Sequence, residues 1–479
     1  MQNQEYFLDQ NITLLLIITI SLLFALVGIF YSRKNKSLSN YLTAGRNVQI
    51  LSLTTSLVAS SLGAWILFGP ASAATWGGIG SVIGYSLGTA FPMLALIFLG
   101  TKIRNIFPKG NTLTEFIYHK LGKNLFKLIL ILTIFYMFIF LCAEVTAVSM
   151  LVNYISGTSL WITATIVITT TLVYTLYGGL RASILTDSLQ FFIIIILLSV
   201  AFYYLFSLNP GNFYLDNLKN KSSHLLSVHY IPNYTAGLTF FIAVAATNLF
   251  HQGNWQRVFA AKNNKVLKTS LIFSFLIIIP IVFFMGMSGI IAVSMDANLN
   301  PDLAFFSILL RDKTELLSVV IIILAVSLTV STIDTLVNAI SSLIMVDGKK
   351  INKNLKSPNV LVILLSIIAF FIASKGFSIL YLFLLADLLC CAAVFSVFYG
   401  FYQRKFNERV AIHSILIGLF FGLLMFPSPD FSKSILVGIL LPFDLFPKII
   451  SNSLLFWSFF LATVGPAVAI MSYDSFKRR

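Results

Sequence analysis

The sequence predicts an all-α polytopic membrane protein of about thirteen transmembrane helices, and three observations carry that reading. Of the 479 residues, 58% are hydrophobic and only 10% charged, against about 25% charged in soluble domains. Apolar runs recur along the whole chain, each long enough to cross a hydrocarbon layer of roughly 30 Å. Lysine and arginine gather on alternate connections between those runs, as the positive-inside rule requires.

In chain order the spans fall near 11–31, 49–70, 80–101, 125–153, 158–178, 186–207, 235–253, 269–294, 316–345, 359–374, 377–400, 408–426 and 452–473. The stretch 434–447 is apolar but short and broken by proline, so it reads as an interfacial or re-entrant piece. Of the 32 cations, 25 fall on one set of loops: Arg33, Lys34, Lys36 and Arg46; Lys102 to Lys127; Arg181; Arg257 to Lys268; Lys349 to Lys356; Arg404 to Arg409; and Lys477 to Arg479. Only Lys219, Lys221, Arg311, Lys313, Lys375, Lys433 and Lys448 fall on the other set. The expected topology therefore has the N-terminus outside and the C-terminus in the cytoplasm of a multi-pass cell (inner) membrane protein. Residues 1–11 carry no basic n-region, so the first helix is expected to be retained.

The net charge of +15 is spread over short loops on one face, which topology explains without a nucleic-acid partner. Cys142, Cys390 and Cys391 all lie inside spans, which argues against an exposed disulfide framework or a zinc site. No H-E-x-x-H pattern occurs, and the G-x-S-x-G match at 84–88 falls inside an apolar span on its glycine contact stripe, so no enzyme is expected. The extensions before residue 11 and after 473 leave no room for a signalling domain, although a membrane-embedded solute sensor with a separate partner stays open. A channel would need a filter sequence or a charge ring, and none is found.

Two spans are interrupted at membrane depth. SLVASSLGAWILFGP (56–70) places Ser60, Ser61, Gly63, Gly69 and Pro70 where Leu and Val would pack more favourably. FFIAVAATNLFHQGNWQ (240–256) interrupts its large apolar residues with Ala245, Ala246, Thr247 and Asn248. Paired discontinuous helices in corresponding halves point to inverted repeats with a binding site between them. Five helices per unit, an odd number, give the opposite orientations that the charge pattern requires. One membrane transport domain over 1–479 is thus expected, with an extra N-terminal helix (11–31), repeats at 49–207 and 235–400, and accessory helices at 408–473. Gly80, Gly84 and Gly88, four residues apart, mark a helix-contact face.

YTLYGGLRASILTDSLQ (174–190) resembles the signature of the sodium:solute symporter family, where a Gly-Gly turn joins two helices. YLTAGRN (41–47), TLTEFIYHKLG (112–122), NWQRVFAAK (254–262) and STIDTLVNAISSL (331–343) resemble further landmarks in the family's order. The resemblance implies a leucine-transporter-like 5+5 inverted-repeat core, embedded in the lipid bilayer, and sodium-driven uptake of a small organic solute. It places a Na+ site on the carbonyls of Ala59, Leu62 and Leu328 and the hydroxyls of Ser331 and Thr332, with Asp187 on the ion's exit route. The residues agree. A hard cation takes oxygen ligands, and a break near Gly63 frees carbonyls whose usual partners lie four residues on. Leu328, Ser331 and Thr332 share one helix face, with Asp334 close to it.

Carried across the same resemblance, the solute lining is Ser60, Trp65, Tyr85, Thr247 and Asn248. Glu144 and Asp387 join them, because an ionisable group at membrane depth costs several kcal/mol unless it is paired or hydrated. No Lys or Arg pairs with either by sequence, which favours a cationic or zwitterionic solute. The expected function is sodium-coupled symport of an amino acid or related zwitterion by alternating access, with Na+ as coupling ion and no other cofactor. Alternatives are a proton-coupled carrier and a urea, polyamine or monocarboxylate symporter. His251 reads as interfacial or packed, and Arg257 as a topology anchor or helix C-terminal partner.

Overall fold

A backbone in hydrocarbon must satisfy its own polar groups, which leaves helices as the means of crossing. The computed structural model describes residues 6–32, 37–207, 211–311, 314–352, 358–403, 406–441, 445 and 447–478. Arg33, Lys34, Lys36, Lys313, Lys353, Lys356, Arg404, Lys405 and Arg479 lie outside these residues, as do 442–444 and 446 of the 434–447 segment. Among the described residues the long elements are all helical, and nine helices are long and apolar enough to span a membrane.

The principal helices are α1 (Gln10–Ser32), α2 (Ile50–Ser61), α3 (Gly69–Ile106), α4 (Lys123–Ser156), α5 (Leu160–Ser207), α6 (Ile231–Phe250) and α7 (Gln252–Ala260). They continue with α8 (Asn264–Met295), α9 (Glu315–Leu343), α10 (Pro358–Ala373), α11 (Ile379–Gly400), α12 (Glu408–Met425) and α13 (Leu454–Arg478). Helices α3 and α5 are each two helices joined at one residue. Gly78 (φ 60°, ψ −157°) and Gly179 (φ 59°, ψ −155°) adopt a backbone essentially confined to glycine, which turns the chain back across the membrane. Separating the segments there, and joining α2 to the start of α3 and α6 to α7, recovers the thirteen spans.

Burial sorts these rods. The most apolar stretch of α9 is 78% buried and that of α11 is 72%, whereas α1 and α12 reach only 33%. The first two are inner rods and the last two are peripheral. Helix α3 packs along α6 and α8. The glycine stripe makes the first contact possible: a β-carbon at Gly80 would overlap the Asn233 carbonyl, and one at Gly84 the Gly237 carbonyl. Residues 434–441 form turns joined by isolated bridges (Pro427 to Ser434, Val437 to Leu441) and contain no helix.

Candidate functional site

Helix α2 stops at Ser61. Leu62 (φ −104°, ψ 84°) and Gly63 (φ −83°, ψ −177°) are non-helical, and one turn of 3₁₀ helix (Ala64–Leu67) leads into α3. The Ile66 N–H donates to Gly63 O at 3.2 Å in place of Leu62 O, and the bond from Gly63 N–H to Ala59 O is missing among the described residues. The expected freeing of the Ala59 and Leu62 carbonyls is therefore present in the geometry. The amides on the far side of the break are held by a remote group. Glu144 of α4 accepts from Ala64 N at 2.9 Å and from Trp65 N at 3.4 Å.

Opposite the break runs α9. Thr332 is 1% exposed and its hydroxyl has no hydrogen-bond partner among the described residues. A β-carbon at Gly63 would lie 2.7 Å from Thr332 Oγ1 and would overlap Glu144 Oε1, so only glycine lets these oxygens converge there. Ser331, one residue earlier, donates to Asp187 Oδ1 at 2.7 Å. The structure thus brings Thr332 to the open turn and joins Ser331 to Asp187. Leu328 lies buried one turn before them on the same helix.

Asp187 sits at the centre of a dry cluster. Its Oδ2 accepts from Ser56 Oγ and from Arg257 Nη2, both at 2.6 Å, and Arg257 and Asp187 are both fully buried. The Arg257 Nε donates to Ser56 Oγ at 2.7 Å and Nη1 to Gly253 O at 3.0 Å. Reading Arg257 as a peripheral anchor is therefore incorrect. The break before α7 folds that short helix inward, so its cation reaches a carboxylate 70 positions away in the chain. Asp334 accepts from Tyr174 at 2.7 Å, Ser183 at 2.9 Å and Thr186 at 3.1 Å.

The second interruption also lies elsewhere than the small residues suggest. Helix α6 continues through Ala245–Asn248 and breaks at His251 (φ −60°, ψ 107°). Alanine is the strongest helix former, and Asn248 satisfies its side chain by donating to Val244 O at 3.0 Å. Beyond the break, Asn254 Nδ2 donates to Asn248 O at 3.0 Å and Trp255 Nε1 to Leu249 O at 2.7 Å, which caps the carbonyls released by the turn.

Between the two breaks lies a polar cavity. Ser60, Trp65, Tyr85, Thr247, Asn248 and Asp387 line it together with Ser61, Phe140, Val244, His251 and Phe383. Glu144 stands beside it at the first break. Thr247 Oγ1 lies 2.6 Å from Asp387 Oδ1 and donates to it. Trp65, Tyr85 and Phe240 stack in series, with centroids 5.5 and 5.0 Å apart. Free space is about 20 Å³, room for about one water, so the walls are closed on one another. His251 is packed, as expected, but its place is on this wall. Phe140, His251 and Phe383 were absent from the sequence-derived lining, yet each stands four residues from a polar residue in it (Glu144, Thr247, Asp387), one helical turn along the same face.

On the face where cations gather, polar contacts tie 111–115, Gln252 and 347–350 together. Gln252 donates to Asn111 O at 3.1 Å and accepts from Leu113 N at 3.3 Å, while Thr112 and Thr114 donate to Asp347 at 2.6 and 2.7 Å. Lys350 closes the group on Asp347 at 3.0 Å and Glu115 at 3.3 Å.

Several known proteins are similar to this chain. The chain is 26% identical over 413 residues to the spermidine transporter DUR31 of Candida albicans, covering 84% of this chain and 78% of that one. It is 28% identical over 220 residues to sodium/myo-inositol cotransporter 2 of Bos taurus, 44% of this chain but 31% of that one. Its fold matches a Na+-coupled sialic acid symporter in a substrate-bound outward-open state, with TM-score 0.71, 16% identity and coverage of 96% and 98% of the two chains. It also matches a nucleobase-cation-symport-1 family transporter in a closed conformation, with TM-score 0.55, 13% identity and coverage of 91% and 96%. Residues 41–418 match the sodium:solute symporter family, and the chain belongs to that family.

Proposed function

We propose that this symporter couples inward Na+ movement to the uptake of a small amine-bearing organic solute by alternating access. The supporting observation is the Asp387 carboxyl, buried among Thr247, His251 and the Trp65–Tyr85 stack in a cavity lined by no lysine or arginine. A carboxylate beside aromatic faces suits an ammonium group, through charge and cation–π attraction. An amino-acid zwitterion would also need donors for its own carboxylate. The backbone amides of the unwound turn, those of Ala64 and Trp65, already donate to Glu144, and no cationic side chain lines the cavity to take their place. This favours an amine without a carboxylate over the amino acid expected from sequence, in line with the spermidine transport of the Candida relative.

Ala59, Leu62, Leu328, Ser331 and Thr332 are the proposed Na+ ligands, and Asp187 and Asp334 the proposed route to the cytoplasm. The repeats are assigned to 49–207 and 235–400, with the N-terminus outside and the C-terminus inside. One Na+ moving down about 100 mV gains roughly 2.3 kcal/mol and a tenfold gradient adds about 1.4, enough for a several-hundred-fold accumulation of a neutral solute.

The test is uptake by proteoliposomes under an imposed sodium gradient, with labelled diamines, polyamines, amino acids, urea, monocarboxylates and sugars. Amines are expected to accumulate, and D387N to abolish that accumulation. Accumulation of a sugar or monocarboxylate, unaffected by D387N, would contradict the assignment. Replacing sodium by lithium or choline at fixed pH separates sodium coupling from proton coupling through Glu144, Asp187 or Asp387.

A further inference from the structure

We infer that Glu144 is a positioning residue of the cation site, bracing the open turn and supplying the formal negative charge that the site's neutral oxygens lack. The inference rests on the sodium-coupled reading above and extends it to a residue on a third helix.

Glu144 is fully buried and forms no ion pair among the described residues. A carboxylate has about four lone-pair positions, and the Ala64 and Trp65 amides take up only two. The carboxylate's remaining capacity faces Gly63, where Oε1 and the unpartnered Thr332 Oγ1 meet around the position that a β-carbon would occupy. Ser61 adds a second buried hydroxyl without a partner on the same turn. An acceptor-only carboxylate and an unsatisfied hydroxyl beside freed carbonyls form an oxygen-rich pocket, the chemistry a hard monovalent cation takes.

Charge balance points to the same place. Asp187, on the Ser331 side, is already compensated by Arg257 at 2.6 Å. Asp334 is held by four hydroxyl donors, from Tyr174, Ser183, Thr186 and Thr335. Among the described residues, Glu144 alone combines a lack of any basic partner with direct hydrogen bonds to the unwound turn. An unpaired charge at this depth is costly, and a cation between Gly63 and Thr332 offsets it. The amide bonds make the effect geometric as well: while the carboxylate holds the Ala64 and Trp65 amides, they are not available to the Ser60 and Ser61 carbonyls, and the turn stays unwound beside the carbonyls of Ala59 and Leu62.

The experiment compares purified wild type, E144Q, E144D and T332A in two measurements. One is the rise in melting temperature as NaCl replaces choline chloride at constant ionic strength. The other is solute uptake by proteoliposomes as a function of sodium. For E144Q, half-saturating sodium is expected to rise at least tenfold, while the solute KM at saturating sodium stays within threefold. The sodium-induced melting shift should disappear, and E144D should restore at least half of it. Should E144Q fail to fold, E144D in its place must raise half-saturating sodium at least threefold. A sodium response in E144Q within twofold of wild type overturns the inference, as does a rise in solute KM without one in sodium requirement. A wild type with no sodium response in either measurement overturns the sodium-coupled reading itself.

Discussion

The two helix breaks are built in opposite ways. At Leu62–Gly63 a carboxylate from another helix holds the amides, and the carbonyls are left open towards a hydroxyl that itself has no partner. At His251 the next residues in the chain, Asn254 and Trp255, close the freed carbonyls from within. Unsatisfied polar groups in a dry interior are costly, so an open break needs something to fill it and a closed one does not. The first break therefore suits the proposed ion, and the second contributes side chains, Thr247 and His251, to the proposed solute cavity.

The largest effect is expected where the two breaks are tied together. R257A removes the cation that joins α7 to Ser56 of α2 and to Asp187, and breaking a buried pair by truncating one partner costs about 3–5 kcal/mol. Its melting temperature in detergent should fall further than that of any other variant discussed; a drop no larger than that of a surface substitution would show that the clamp is not structural. Next is G63A, whose added methyl collides with Glu144 and lies 2.7 Å from Thr332 Oγ1. Uptake should fall about a hundredfold, equivalent to about 2.7 kcal/mol, and near-normal uptake would mean that the turn can reshape freely.

T332A sharpens the contrast. Its hydroxyl has no partner to lose among the described residues, so the buried methyl alone sets the stability cost, about 1 kcal/mol, while half-saturating sodium rises about tenfold. The reverse pattern would make Thr332 a packing residue. The smallest effect belongs to N254A, which removes a cap from the second break and costs about 1 kcal/mol of stability. Half-saturating sodium should not change in this variant, and a shift there would dissolve the distinction between the two breaks.

The membrane architecture was legible because hydropathy and the lysine–arginine bias are local, additive signals. The first break was legible too, since Ser60, Ser61 and Gly63 are poor choices for a straight helix in hydrocarbon. The second was misplaced because Ala245 and Ala246 look like an interruption by size, although alanine favours the helix and the turn comes at His251. Arg257 was misread because its partner depends on how α7 folds back, and nothing near it in the chain encodes that. The Glu144 bond to Ala64 spans 80 residues and the Thr247 bond to Asp387 spans 140. Sequence marked each of these residues as unusual at its depth without indicating what it would touch.

Equilibrium binding of radioactive sodium to the purified protein tests the central claim most directly, with wild type and T332A compared at matched thermal stability. Saturable binding in wild type, weakened about tenfold in T332A, is the expected result. Equal affinity in the two proteins, or no saturable binding in wild type, would contradict it.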